Sequence, residues 1–387
     1  MFSRLPRPHC LYNTFPLAMH AFVGYIGPMK LARPLLLLAL ALLLGVAAAQ
    51  PTPAPSDDGD VRMLLLALDR QEHYLLKHRA PTLRLGAQRI STARVLATIR
   101  ALRKLTLTAY GAPDFAAELA RRFEFITVSD QATITGYHTP LLQAREQSDA
   151  DFRTPILGHP PDLVESRGQT YRRVNGRLVA APTRAQIMDG AYDIQRLAIA
   201  WTDDPVEFYY AQIQGGATLA YPDGRRRTLL FAGCNGYPFV SFETVFLQRV
   251  PAEQRPGGYF GIHDYLRRHP DEADRYFRLN PRYIFFRLSD SPRLGMTGLP
   301  LTPGRSIATD KSYYSAGLVG YLVYSEPTRD GGSRQVHRLV CDSDTGSAIT
   351  GPARVDVYYG EGNARDLFPN GLKTKGTLAY LLVREGM

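Results

Sequence analysis

The sequence predicts an α+β protein that is mainly β. Two observations carry this. After residue 60 the chain first repeats apolar residues at helical spacing. From Val206 it turns to runs rich in β-branched and aromatic residues, broken by Gly, Pro and Asp, and such runs continue to the C-terminus. Helices packed beside a substantial β component define the class.

The elements follow in order. Met29-Lys30-Leu31-Ala32-Arg33 precedes an apolar run, Leu35–Ala49, that ends Val46-Ala47-Ala48-Ala49-Gln50. A charged stretch, an apolar stretch and a small-residue cleavage site read as a secretory signal, residues 1–49, cleaved after Ala49. Residues 1–28 fit no part of such a signal, so Met29 is the expected start. The run is short for a membrane span, and retention as an uncleaved anchor is the competing reading. No cysteine follows it to carry a lipoprotein-type lipid, and Cys10 lies too far upstream. The expected location is periplasmic, with outer-membrane association left open.

Gln50–Asp60, rich in Pro and Asp, reads as a flexible tether. Leu64, Leu65, Leu68, Leu75 and Leu76 mark a helix over Val61–His78; Val95, Ile99 and Leu102 mark a second. Asp114 is placed to cap a third, with Phe115, Leu119 and Phe123 on one face. Gln131–Pro140 reads as a strand running into a glycine-containing bend. Residues 150–182 read as irregular. Thr183-Arg184-Ala185-Gln186 is a capping-box pattern opening a short helix. Val206–Gly215 and Thr228–Gly233 read as strands around a Pro222-Asp223-Gly224 turn. Gly261–Arg268 and Asp271–Leu279 read as helices, then Arg282–Arg287 as a buried strand, and Thr377–Val383 as the last strand. There is no internal repeat.

The 387 residues suggest two or three domains, and 45% hydrophobic with 21% charged residues suits a full globular core. The net charge is +10; the segment before residue 50 holds Arg4, Arg7, Lys30 and Arg33 and no acid, which leaves +6. A modestly basic protein favours polyanions or an acidic wall polymer. Nucleic acid is not favoured: no zinc-finger spacing, RNP-like motif or dense basic run occurs, and Arg225-Arg226-Arg227 follows a turn as a solvated hairpin end. His138, His263, His269 and His337 lack metal-ligand spacing, so neither metal nor cofactor is expected. Cys234 and Cys341 can pair in an oxidising compartment or remain two buried thiols.

Cys341–Gly362 sets Asp342, Asp344 and Asp356 among glycines and small residues. Carboxylates on glycine-shaped backbone suit acid/base chemistry on a glycosidic oxygen; a polar loop with an Asx-turn is the competing reading.

Four motifs then resemble one family. They are Ile134-Thr135-Gly136-Tyr137-His138-Thr139-Pro140, Ala211-Gln212-Ile213-Gln214-Gly215-Gly216, Leu301-Thr302-Pro303-Gly304-Arg305-Ser306-Ile307-Ala308-Thr309-Asp310, and Asp344-Thr345-Gly346-Ser347-Ala348-Ile349-Thr350-Gly351 with Asp356. With Asn280-Pro281-Arg282-Tyr283-Ile284-Phe285-Phe286, they resemble the MltA family of lytic murein transglycosylases over roughly residues 130–385. The resemblance implies a double-psi β-barrel (3D) domain from residues 61–139 and 283–387. It also implies a smaller β-rich domain, residues 140–282, inserted between them, and a groove for a peptidoglycan glycan strand. The implied reaction cleaves the β-1,4 bond between N-acetylmuramic acid and N-acetylglucosamine without water, leaving a 1,6-anhydromuramyl end.

On the resemblance, Asp356 is the acid that protonates the leaving oxygen and then takes the proton of the sugar's C6 hydroxyl. Asp344 and Asp310 supply a field or hydrogen bonds to it, with turn capping the alternative for Asp310. Asp342 matches no motif and reads as solvated. Thr135, Gly136, Tyr137, Gln212, Gln214, Gly215, Arg305 and Gly351 are the expected substrate contacts. Gln212 and Gln214, two apart on an expected strand, would share a face, and Arg305 would orient a carboxylate bidentately. His138 and Gly216-Ala217 depart from the family pattern at the expected groove. A monomer is expected, with wall-remodelling proteins as further partners. A non-catalytic peptidoglycan-binding protein and a two-carboxylate hydrolase are the competing functions.

Overall fold

A computed structural model describes residues 55–250, 255–256, 258–328, 330–346, 349–367 and 372–386. The expected signal segment and the start of the expected tether lie outside them.

Helix α1 (Val61–His78) is capped by Asp60, whose carboxylate accepts the Arg62 amide at 2.7 Å. It buries Leu64, Leu68 and Leu75, while Leu76 is exposed. A hairpin of β1 (Thr82–Leu85) and β2 (Gln88–Ser91) leads into α2 (Thr92–Ala109), capped by Ser91. Next comes α3 (Phe115–Arg122), with Asp114 at the cap position but making no capping bond. These helices pack on the barrel: Leu64, Ile99 and Leu119 share one core with Ile134, Ile307, Val340 and Val355.

The strand expected over Gln131–Pro140 is far longer. As β3 it runs Phe123–Arg145. Its first part lies in the barrel, and its end pairs with the insert strands described next.

The insert carries β4 (Thr154–Leu157), then β5 (Leu163–Ser166), β6 (Gln169–Val174) and β7 (Arg177–Ala180) as a separate three-stranded sheet. The region expected to be irregular is therefore largely strand. Helix α4 (Arg184–Met188) opens on the expected capping box between Thr183 and Gln186. Then come α5 (Ile194–Leu197), β8 (Ala198–Thr202) and α6 (Pro205–Gln214). Helix α6 replaces the strand expected there. Asp204 caps it, Pro205 sits in its first turn, and Gly215 ends it at φ 72°, a left-handed position that suits glycine. After it come β9 (Gly216–Ala220), β10 (Arg226–Cys234), α7 (Phe242–Arg249), α8 (Gly258–Arg268), α9 (Pro270–Phe277) and β11 (Ile284–Ser289). Strand β11 pairs with β10, and Tyr283–Phe286 pack in the insert's cores. The structural return to the barrel thus falls after these residues, not at 283.

The barrel is completed by β12 (Ser306–Thr309), β13 (Val319–Pro327), β14 (Ser333–Asp344), β15 (Arg354–Gly362), the short α10 (Ala364–Leu367) and β16 (Lys373–Val383). The order is β3-β15-β12-β14-β13-β16, and β16 pairs back to β3, closing six strands. The β3/β15 and β12/β14 pairs are parallel and the others antiparallel. The fold is α+β and mainly β, consistent with a double-psi barrel carrying an insert.

One expectation fails here, and one open alternative closes. Asp57 does not lie on a flexible tether: its carboxylate is fully buried, accepts from Arg305 Nη1 and Nη2 at 2.6 and 2.7 Å, and accepts the Tyr110 hydroxyl at 2.6 Å. Cys341 is a buried free thiol, so it does not pair with Cys234.

Candidate active site

A cavity of about 870 Å³ opens between barrel and insert. Of the residues singled out from the sequence, Tyr137, Gln212, Gln214, Gly215, Asp310, Asp344 and Asp356 line it. Thr135, Gly136, Arg305 and Gly351 are not among its lining residues.

Asp356 stands on β15, opposite Thr135 of β3 on one side and Ala308 of β12 on the other. The Thr135 hydroxyl donates a short hydrogen bond to Asp356 Oδ1. Arg354 Nε donates to the same oxygen at 2.9 Å, while another Arg354 nitrogen donates to the Thr135 hydroxyl at 2.9 Å. This triangle fixes which way the hydroxyl points. Oδ2 accepts no hydrogen bond among the described residues. The immediate neighbours of Asp356 are thus a hydroxyl and a cation, and neither Asp344 nor Asp310 bonds to it.

Asp344 flanks Ala308 from β14, the opposite neighbour of β12. The backbones of the two acids are therefore about two strand spacings, roughly 9.5 Å, apart. The small Ala308 side chain between them lines the cavity. Asp344 accepts the Tyr137 hydroxyl at 2.8 Å and the Met296 amide at 3.2 Å. Burial pushes its carboxyl above the ordinary value, and Arg293 with these hydrogen bonds offsets part of that. Burial likewise drives the Tyr137 phenol well above its usual range, so it stays a donor.

Asp310 accepts the Ser312 amide and hydroxyl at 2.9 and 2.7 Å and the Gly351 amide at 2.7 Å. Burial opposes its charge, but these bonds and Lys311 prevail, and its carboxyl is held below the ordinary value. Gly351 turns there at φ 85°. Asp310 clasps that loop beneath the cavity.

Asp342 is not solvated: its side chain is fully buried. It forms a short ion pair with Lys311 and accepts the Thr309 and Tyr380 hydroxyls, each at 2.7 Å. Burial raises its carboxyl despite these partners. A register shift explains the difference from Asp344. Asp342 faces Ile307, whereas Ala308 faces Asp344, so one residue bulges between them. The bulge sends Asp342 into the core and Asp344 to the cavity.

Among the expected substrate contacts, several are structural. Gln212 is 2% exposed; its amide donates to the Ile284 carbonyl at 2.9 Å, and its oxygen accepts from Arg184 at 2.6 Å. Because α6 is a helix, Gln212 and Gln214 lie about 200° apart around its axis and share no face. The Gln214 carbonyl accepts Arg293 at 2.8 Å. Arg305 does orient a carboxylate bidentately, but that of Asp57 in the interior. Gly136 makes room for the Tyr359 ring, which a Cβ would meet at 3.0 Å. His138 is buried, with Nε2 at 3.8 Å from Glu207 Oε1. Strand alternation turns it away while Tyr137 faces the cavity. Gly216 and Ala217 open β9 as buried residues rather than lining the groove.

Reading the sequence missed Arg354, Lys311, Arg282 and Arg293. Arg354 carried a signal, since it sits two residues before Asp356 on one strand and so shares its face. The others depend on tertiary packing.

Residues 133–287 match the MltA specific insert domain and residues 305–382 match the 3D domain. The chain belongs to the MltA family. The membrane-bound lytic murein transglycosylase A of Vibrio cholerae is 28% identical over 234 residues, and that of Escherichia coli K12 is 28% identical over 235. Each alignment covers 59% of this chain and 59% of the relative, so this chain spans about three fifths of the curated MltA relatives it matches. Among crystal structures, a membrane-bound lytic murein transglycosylase from Agrobacterium tumefaciens superposes with TM-score 0.63 at 27% identity, covering 84% of this chain and 93% of that one. MltA from Neisseria gonorrhoeae gives 0.65 at 26%, covering 85% and 89%. E. coli MltA, crystallised with chitohexaose, shares the fold with TM-score 0.68 at 19% identity, covering 86% and 92%.

Proposed function

We propose that this protein is a lytic murein transglycosylase that holds a peptidoglycan glycan strand between barrel and insert. It cleaves the bond between N-acetylmuramic acid and N-acetylglucosamine, with Asp356 as its one acid/base. The observation that carries this reading is the asymmetry of the Asp356 carboxyl. Oδ1 is held by Thr135 and Arg354, and Oδ2 has no hydrogen bond among the described residues while the residue lines the cavity. Oδ2 gives its proton to the departing glycosidic oxygen. It then accepts the proton of the muramyl C6 hydroxyl as that oxygen attacks C1. The bond to the leaving sugar breaks, the bond from O6 to C1 forms, and no water is consumed. Asp344, with its raised carboxyl, and the neutral Tyr137 shape the polarity around the ring, and Asp310 holds the Gly351 loop. The relatives named above, which are lytic murein transglycosylases, support the reaction class.

The test is digestion of purified sacculi in heavy-oxygen water, followed by mass spectrometry. Anhydro-ended, unlabelled products are expected. Labelled reducing ends would make the protein a hydrolase, and binding without release would make it a non-catalytic wall-binding protein. Exported, envelope-associated location belongs to the same proposal, since the substrate lies there.

A further inference from the structure

The cavity has two unlike walls. Asp310, Asp344 and Asp356 come from the barrel, whereas the insert wall and the 290–300 loop present Arg184, Arg282 and Arg293. Arg184 and Arg282 form no ion pair among the described residues, and Arg293 forms none either but acts through space on the Asp344 carboxyl. Arg184, 4% exposed, bonds a neutral oxygen of Gln212 at 2.6 Å and the Arg282 carbonyl at 3.0 Å. Arg293 bonds the Gln214 carbonyl, and its enclosed Nη1 has no partner. Arg282 stands out further. It is 6% exposed, its guanidinium makes no hydrogen bond or ion pair among the described residues, and it lines the cavity. It also lines a second cavity of about 370 Å³, walled by the β5–β7 sheet and Asn235–Pro238.

An enclosed guanidinium without a counter-ion is costly. Elsewhere the fold answers that cost, as where the buried Arg305 takes Asp57. Arginine stays charged at any physiological pH, and its planar fork suits a carboxylate. We propose that Arg282 is a specificity residue that receives a carboxylate carried on a side branch of the bound glycan, with Arg293 adding a second donor along the same wall. The sugar backbone then lies against the aspartate wall, and the branch passes Arg282 toward the second cavity. This rests on the glycan reading above.

The experiment measures binding by the full chain carrying Asp356→Asn, so that ligand is not consumed. The probes are a neutral N-acetylglucosamine hexamer, a muramyl glycan of equal length with free lactyl carboxylates, and the same glycan with stem peptides. The expected result is tighter binding of a carboxylated glycan than of the neutral one. That preference should weaken as ionic strength rises from about 0.1 M to about 1 M. Adding Arg282→Gln should cut the ratio of carboxylated to neutral affinity by about tenfold or more, with Arg282→Lys restoring part of it. The lactyl and stem-peptide arms tell which carboxylate is read. Equal affinity for neutral and carboxylated glycans, or a ratio unmoved by Arg282→Gln, overturns the proposal and leaves the glycan site standing. If no probe binds, the glycan reading fails and the proposal with it. The salt response of the parent needs no variant, so a poorly folded Arg282→Gln does not shield the idea.

Discussion

At the scale of single residues, positioning rather than number of acids organises the site. The resemblance made Asp356 the acid/base and Asp344 and Asp310 its supporters through a field or hydrogen bonds. The structure separates them by what each oxygen touches, with Asp310 on two backbone amides and a hydroxyl, Asp344 on Tyr137 and Met296, and Asp356 on Thr135 and Arg354 through one oxygen. If Thr135 fixes the catalytic carboxyl, Thr135→Val should lower kcat about 10–100-fold, the loss expected for one hydrogen bond to a charged group. KM should change little, which steady-state kinetics on glycan strands would check. Asp342 shows the limit of reading residues singly. No motif marks it, and its burial follows from a bulge and from the run Arg338–Ser343 being enclosed throughout. An alternating-strand reading has no means of seeing either.

At the scale of elements, the first two helices were legible because their apolar spacing is strong, the last barrel strand showed as the run Thr377–Val383, and Thr183–Gln186 announced α4 by its capping chemistry. Helix α6 was misread for a physical reason. It is buried on nearly all sides, from Val206 to Gln212, so no amphipathic period survives, and Val206, Phe208, Tyr209 and Tyr210 suit a strand by propensity. Its signals were the ends: Asp204 and Pro205 at the start, Gly215 at the stop. The segment before α1 was misread by composition. Pro and Asp suggested a tether, yet Asp57 is the internal counter-ion of Arg305 and accepts the Leu339 amide at 2.7 Å. Breaking a buried pair from one side is costly, so Asp57→Ala should destabilise the protein by about 3–5 kcal/mol, read from urea denaturation. Replacing both partners by apolar residues should recover much of that loss.

At the scale of the whole molecule, β3 runs through both halves. It pairs with β15 and β16 in the barrel and with β8 and β9 in the insert, so the two cavity walls share one strand. The first core draws on no residue between 135 and 306, and the other three draw only on residues 142–286. The cavity thus lies where two independently packed bodies meet, which no local pattern reveals. Charge burial there ties stability to pH. The raised carboxyl of Asp344 makes its ionisation unfavourable in the folded state. Its contribution is fully present below the unfolded value, about 3.9, and is lost as pH rises through the higher folded value. Asp344→Asn should therefore raise Tm near pH 7 relative to the parent, and the advantage should vanish below about pH 4, as thermal scans across pH would show. The most direct test of the central claim is the initial rate at which Asp356→Asn releases anhydro-ended muropeptides from sacculi. A fall of about 10²–10⁴-fold with glycan binding retained is the predicted result, and release at the parental rate would contradict the account.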